Sequence, residues 1–290
     1  MTFGGARLPR HSMEEPVTYE AGSSFRPAFF FLRPAQRRAL SAYYGFARAV
    51  DDIVDEPGVP ASDKEAGLAL WRAAVERIFS GGPSLSPLES ALAGAAKEFP
   101  LKPEHFTLVI DGVAMDLSKS SYATYAELER YMYGVASAVG LACLAIFGYD
   151  DENAPLLARR MGYAVQLTNI IRDVSEDLAA GRVYIPQEDL ARFRCRPSDL
   201  AAGSQYTPDF IELMEFEAAR ARELYAGALA LAARGQKRRL APALVMSAVY
   251  RELLFKMERN GFRVKDGKVK LGAGGKVKAI FKAWRDYAEI

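Results

Sequence analysis

The chain has 290 residues, 50% of them hydrophobic and 26% charged, so it holds enough apolar material for a sizeable core and is not of disordered composition. Its 38 basic and 36 acidic residues leave a net charge of +2, which excludes a globally basic nucleic-acid-binding surface; no nucleic acid partner is expected. The two cysteines, Cys143 and Cys195, match no metal or redox spacing, and a reducing, cytoplasmic compartment is expected.

Arg7 and Arg10 are not followed by an apolar stretch, so no signal peptide is expected, and residues 1–18 read as a flexible arm. The run 28–32 is too short to span a bilayer, and no long uncharged apolar segment is evident elsewhere. Pro34 opens a helix predicted over 35–56 and ended by Pro57-Gly58. Ser62 and Glu65 have capping-box spacing for a second helix that stops at Ser80-Gly81-Gly82. Ser86, Pro87 and Glu89 start a third. Thr124 and Glu127 start another that runs to about Phe147. A long helix is predicted over 152–180, with Gly181 as its stop. Pro208 opens one to about Gly235, and a further helix spans about 241–260 before Gly261. Val264 to Val269 reads as a small hairpin around Asp266-Gly267. A basic segment, 276–287, closes the chain. With no fixed-period repeat and no linker, the reading is all-α and one domain over 1–290.

Two acidic clusters stand out. Asp51 and Asp55 are four apart and share a helix face, with Asp52 a third of a turn away and Arg48 one turn back. Like charges at that spacing destabilise a helix by roughly 0.2–0.5 kcal/mol per pair, a cost that a hard cation would offset. A solvated acidic helix end is the alternative. In the second cluster Asn169, Asp173 and Asp177 are spaced four by four among apolar neighbours, with Arg172 and Arg182 able to fork onto a phosphate. Salt bridges along the helix are the alternative there, although an asparagine adds nothing to such a row and suits a metal. Two such stripes can face each other across a helical bundle, bridged by cations and a diphosphate.

These clusters occur with Ser23-Ser24-Phe25, Asp111 to Asp116 followed by Leu117-Ser118-Lys119, Tyr131 to Gly140, Gly181-Arg182-Val183-Tyr184-Ile185-Pro186, and Tyr250 to Leu254. Together, and in this order, they resemble the squalene/phytoene synthase family over about residues 20–285. The resemblance implies an isoprenoid synthase-type helical bundle around a central cavity. It implies head-to-head joining of two allylic diphosphates, either farnesyl diphosphate or geranylgeranyl diphosphate, through a cyclopropylcarbinyl diphosphate. It also implies Mg2+, with Mn2+ as an alternative, bound by Asp51, Asp55, Asn169, Asp173 and Asp177, with Asp52 inside the first motif. Arg48 and Arg172 match diphosphate-contacting arginines. Tyr131 matches a catalytic tyrosine near the departing diphosphate and the proton to be lost, Gln166 and Tyr250 match cavity or phosphate-side positions, and Ser24 and Phe25 belong to a substrate-binding motif. Lys268 stands where relatives carry arginine, Ala21 and Ser23 where some carry histidine and lysine, and Ser137 where glycine is usual.

Gly22-Ser23-Ser24-Phe25 and Glu258-Arg259-Asn260-Gly261-Phe262 look most like bacterial presqualene diphosphate synthases of the hopanoid pathway, which use no reductant, so NADPH is not expected. Phytoene, squalene and dehydrosqualene synthases are the alternatives. Asp51-Asp52-x-x-Asp55 alone would also fit a head-to-tail prenyl transferase or terpene cyclase, but Arg172-Asp173 and Asp177 argue against both. A helical assembly factor that had lost catalysis is a further alternative, which retention of all five acids disfavours.

Phe25, Phe29, Tyr43, Tyr44 and Phe46 are candidates for the wall around a carbocation, or ordinary core. Ala136, Ser137, Gly140 and Ala142 leave room for a prenyl chain or pack helices closely. Asp116 belongs to the cavity's polar end or to the surface. His11 and His105 lie near no motif. Lys265, Lys268, Lys270, Lys276, Lys278, Lys282 and Arg285, interleaved with Val277, Ile280, Phe281 and Trp284, suit either a solvated face or peripheral contact with the inner face of an anionic membrane.

Overall fold

A computed structural model describes residues 29–232 and 236–289, with side chains to Trp284. The arm 1–18, His11, Ser24, Phe25 and the side chain of Arg285 lie outside the described residues. Eleven α-helices are described: α1 (Pro34–Asp55), α2 (Ala61–Ser80), α3 (Pro87–Glu98), α4 (Glu104–Ala114), α5 (Tyr125–Met132), α6 (Ala138–Phe147), α7 (Ala154–Ala179), α8 (Gln187–Arg192), α9 (Pro208–Leu229), α10 (Lys237–Arg259) and α11 (Ala273–Glu289). Among the described residues there is no strand, only an isolated bridge between Ser121 and Val183. The all-α reading holds, and most helix ends fall within a few residues of their proline and glycine signals. Gly81, Gly181 and Gly261 each take the left-handed conformation that stops a helix.

Three local readings are corrected. Helix α2 starts at Ala61, because Pro60 already holds the helical entry and its carbonyl accepts from Asp63 N at 3.0 Å. Ser62 therefore sits in the first turn rather than at the cap. Residues 264–269 form an irregular loop instead of a hairpin. Val264 and Val269 both turn into the core, and Lys265 is buried beside them, its backbone N donating to the Tyr206 hydroxyl and its Nζ to the carbonyls of Asp199 and Gln205. The third correction concerns apolar length. Tyr125–Phe147 is apolar enough over 23 residues to cross a membrane by length and composition, yet more than half of that window is buried in the bundle.

One core packs α1 to α4 against α6, with Tyr43, Phe46, Trp71 and Phe106 in edge and tilted ring contacts of 5.0–5.8 Å. A second core packs α5 with α7, α9 and α10. Buried bonds register the parts: Gln36 Nε2 donates to Ile146 O at 3.0 Å, and the Tyr43 hydroxyl to His105 O at 2.6 Å. The His105 imidazole accepts from Lys102 N at 3.3 Å and lines no part of the cavity.

Between α5 and α6, residues Tyr133–Ser137 widen into a π-helical turn, which interrupts the single helix expected from Thr124. Close backbone contact accompanies it. A Cβ on Gly134 would lie 2.6 Å from Gly112 Cα and 2.8 Å from Leu108 O, and one on Gly162 of α7 would lie 2.7 Å from Ser137 Cα. Ser137 is therefore close packing, whereas Ala136 and Gly140 face the cavity. Because the obstacles are backbone, Gly134→Ala should cost about 1–3 kcal/mol of stability. Gly94→Ala, in exposed helix with nothing within 4 Å, should be neutral or gain up to about 1 kcal/mol. Thermal unfolding of both variants checks this; equal midpoints would contradict it.

Candidate active site

A cavity of about 820 Å³ runs between the helices, polar at one end and apolar at the other. From α1 it is lined by Tyr44, Ala47, Arg48, Asp51 and Asp55, an i, i+3, i+4, i+7, i+11 stripe that keeps one face of the helix on the cavity. That register decides the aromatic question for Tyr43 and Phe46, which each sit one residue before a stripe position, point into the core, and do not line the wall. Phe29 is likewise core. It also moves Asp52 to the edge. Asp52 does not line the cavity; it holds Arg48 at 2.8 Å, and Arg48 reaches Asp51 at 3.4 Å.

Helix α7 supplies the opposite stripe: Asn169, Asp173 and Asp177, with Gln166 and Arg172 beside them. Tyr250 of α10 and Lys268 complete that side. Arg172 forks onto Asp173, and Lys268 Nζ lies 3.2 Å from Asp173 and 3.0 Å from Glu176. Arg182 spans the site and donates to Asp55 at 2.7 Å. The expected site residues from Arg48 to Lys268 thus gather at one place, with Asp52 alone displaced to its rim. Ser24 and Phe25 are outside the described residues.

The acids are partly withdrawn from water and close to one another, and it shows in their protonation. Burial, followed by Asp55, raises Asp51 to about 6 against the pull of Arg48. Burial and then Asp173 raise Asp177 to about 7, with Arg182 and Lys268 opposing. Asp51 is half accessible, but the surface it presents belongs to the cavity wall. Asn169 Oδ1 is buried without a hydrogen-bond partner. Among the described residues no three acidic, histidine or cysteine side chains converge tightly enough to hold an ion alone. Asp55 and Asp173 are drawn toward Arg182, Arg172 and Lys268 instead. Spread carboxylates plus an unsatisfied amide oxygen fit a hard cation that takes one or two protein oxygens and shares the rest with a phosphate.

A third group emerges between the stripes. Asp116 lies in the 3₁₀ turn after α4, and the hydroxyls of Tyr131 and Tyr184 donate to its two oxygens at 3.1 and 3.0 Å. The two rings stack at 4.9 Å. Burial raises Asp116 to about 6, opposed by Arg182 and by both hydroxyls. Burial also holds Tyr131 well above the ordinary phenol range. Asp111 turns outward to Arg72 at 2.6 Å. The five-residue spacing of Asp111 and Asp116 signalled that they do not share a face, without telling which one enters. Tyr184 lay in a recognised motif with no role attached.

Beyond this end the walls are Val135, Val139, Gly140, Leu144, Phe147, Leu157 and Ala158, with Met246 and Val249 from α10. Cys143 also lines this part, and burial raises its thiol to about 12.

Raised carboxyl pKa values mean that the folded protein binds protons more tightly than the unfolded chain between about 4 and the folded values. Stability of the metal-free protein therefore falls as pH rises through that window. Asp177→Asn is expected to raise the thermal midpoint at about pH 8 and change it little at about pH 5, where folded Asp177 already holds its proton. Unfolding scans in a chelator test this; a lowered midpoint at the higher pH would contradict it.

Residues 19–274 match the squalene/phytoene synthase family. A phytoene synthase from Arthrospira platensis is 36% identical over 277 residues, covering 91% of this chain and 89% of its own. A presqualene diphosphate synthase from Rhodopseudomonas palustris is 33% identical over 279 residues, covering 94% and 98%. Among solved structures, a dehydrosqualene synthase with a bound ligand superposes with a TM-score of 0.82 at 27% identity, covering 93% of this chain and 94% of that one. The squalene synthase HpnC from Alicyclobacillus acidocaldarius gives 0.75 at 27%, covering 84% and 90%. With its helical bundle, its cavity and these relatives taken together, the chain belongs to the squalene/phytoene synthase family, a group of prenyl transferases.

Proposed function

We propose that the chain joins two farnesyl diphosphates head to head, giving presqualene diphosphate and free diphosphate, and that it does so with magnesium. The observation that carries this reading is the cavity's polar end, where acids of α1 and α7 with Arg48, Arg172, Arg182 and Lys268 line one space that continues into an apolar tube. The C30 product is supported by the presqualene diphosphate synthase relative, matched over nearly its full length, and by the dehydrosqualene and squalene synthases among the structural neighbours.

Mg2+, or Mn2+ in its place, would be held by Asp51 and Asp55 on one side and Asn169, Asp173 and Asp177 on the other, and supplies Lewis-acid charge to diphosphate oxygens. Arg48, Arg172, Arg182 and Lys268 add donors to the same oxygens, the arginines as planar forks and the lysine as a point charge. Asp52 orients Arg48. When the C1–O bond of one substrate breaks, the electron pair leaves with its diphosphate. The C2–C3 double bond of the second substrate supplies the pair for the new bond to C1, and a proton is lost as the cyclopropane closes. The apolar walls keep water from the cation meanwhile. Asp116 is ionised near neutral pH and touches Tyr131, so it is placed to take that proton through the tyrosine. Tyr131, held as a neutral phenol, relays rather than abstracts. No step consumes NADPH.

A second reading has its own support: the phytoene synthase relative is more identical than the presqualene one, which favours two geranylgeranyl diphosphates and a C40 product.

Incubation with each diphosphate, with and without magnesium and NADPH, followed by mass analysis, separates the readings. The expected result is a C30 cyclopropyl diphosphate from farnesyl diphosphate, unchanged by NADPH and lost on chelation. A C40 hydrocarbon from geranylgeranyl diphosphate alone would establish the phytoene reading, and inert behaviour with both would overturn catalysis. For the proton relay, Asp116→Asn and Tyr131→Phe should each lower kcat by about 10²–10⁴-fold while KM changes little. Steady-state kinetics test this; a loss confined to KM would assign both residues to binding.

A further inference from the structure

The loop 264–269 brings Lys268 to the cavity, and a buried cation beside it fixes its path. Asp266, Gly267 and Lys268 are exposed, while Val264, Lys265 and Val269 on either side of them are buried. Gly267 takes a φ of +122°, in the region that favours glycine, and has no side chain to hold the bend. Lys265 is 3% exposed. Its Nζ donates to Gln205 O at 2.8 Å and Asp199 O at 3.0 Å, and lies 3.9 Å from the Phe210 ring centre and 4.4 Å from that of Tyr206. Its backbone N donates to the Tyr206 hydroxyl at 3.0 Å. All these contacts run to one stretch, from the 3₁₀ turn Pro197–Leu200 to the first turn of α9.

Burial lowers the pKa of Lys265, with Asp199 and Asp266 opposing, so the fold keeps a cation where an apolar side chain would fill the slot without that cost. What the ion adds is direction, because two carbonyls and two ring faces accept an ammonium in one arrangement. Lys268 needs that direction. Its Nζ lies 3.2 Å from Asp173 and 3.0 Å from Glu176, and a lysine is a point charge with no planar fork to orient it. Three residues of chain reach at most about 11 Å, so the anchor at Lys265 limits where Lys268 can stand.

We propose that Lys265 is a positioning residue for diphosphate: its buried ammonium sets the register of loop 264–269 and so places Lys268 on the acids of α7. Val264 and Val269 alone would keep the loop attached but leave the path of 266–268 open. The role in binding rests on the diphosphate site proposed above; the placement of the loop does not.

Hydrogen exchange read by mass spectrometry, and calorimetric titration with inorganic diphosphate and magnesium, test this on the full chain, Lys265→Met, Lys268→Ala and the double variant. Methionine fills the slot and packs against both rings, so the circular dichroism and thermal midpoint of Lys265→Met should stay close to the parent's. Its exchange should quicken across 264–270 and stay unchanged in α7 and α9. Diphosphate should bind about tenfold more weakly to Lys265→Met, and no more weakly to the double variant than to Lys268→Ala. Tyr206→Phe, which removes the hydroxyl that Lys265 N reaches, should weaken binding by about two- to threefold, and it carries the test if Lys265→Met does not fold. The proposal is overturned if loop exchange is unchanged or Lys265→Met binds like the parent. It is overturned equally if Lys265→Met costs as much affinity in the Lys268→Ala background as in the parent, which would mark a lost charge or general loosening instead of placement. A parent that does not bind diphosphate with magnesium removes the proposed site and the role in binding together, and exchange then decides the placement alone.

Discussion

Carboxylates from two helices meet at one end of an apolar cavity, and they repel one another. Asp51 and Asp55 come from α1, Asp173 and Asp177 from α7, and Asp116 from the turn between them. Arg182, Lys268, Arg172 and Arg48 neutralise part of this charge, yet burial first and the neighbouring acids second leave Asp51, Asp116 and Asp177 holding their protons more tightly than free acids do. The protein maintains this arrangement against its own electrostatics, which is possible because the rest of the bundle over-determines where α1 and α7 stand. The Tyr43–Phe46–Trp71–Phe106 cluster and the Gln36–Ile146 bond fix α1. The second core and the Thr168–Tyr225 contact at 3.1 Å fix α7.

The same constraint explains the division of the cavity. Charge development belongs at the end where donors converge, and a carbocation needs walls without water or lone pairs. The stripe on α7 therefore changes from Asp177, Asp173 and Arg172 to Val165, Ala158 and Leu157 within a few turns, while the α6 lining is apolar throughout. Close backbone contacts at Gly112, Gly134 and Gly162 bring α4, the π-helical turn and α7 together, while Ala136 and Gly140 keep the tube open beside them. Small residues thus serve both packing and space, one helical face each.

Much of this was legible in the sequence because it depends on spacing along one helix. Four-residue intervals between acids predicted two stripes, and proline and glycine punctuation placed most helix ends. What stayed hidden depends on distance across the fold. Which of Tyr43, Tyr44 and Phe46 enters the cavity follows from the register of α1 against α2 and α4, which no local pattern encodes. The π-helical turn arises where Gly112 meets Gly134, 22 residues apart in the chain. Asp116 gains its place from Tyr131 and Tyr184, on segments that sequence alone could not bring together. The hairpin expected at Asp266-Gly267 failed because Val264 and Val269 both had core to fill, and tertiary burial outweighed a turn signal.

The central claim is that the two stripes hold one ligand between them. Calorimetric titration with inorganic diphosphate, with and without magnesium, tests it on the parent, Asp51→Asn, Asp173→Asn and the double variant. The account predicts binding that requires magnesium and losses that do not add, the double variant falling short of the sum by about 1 kcal/mol or more. Additive losses, or diphosphate binding that is indifferent to magnesium, would contradict it.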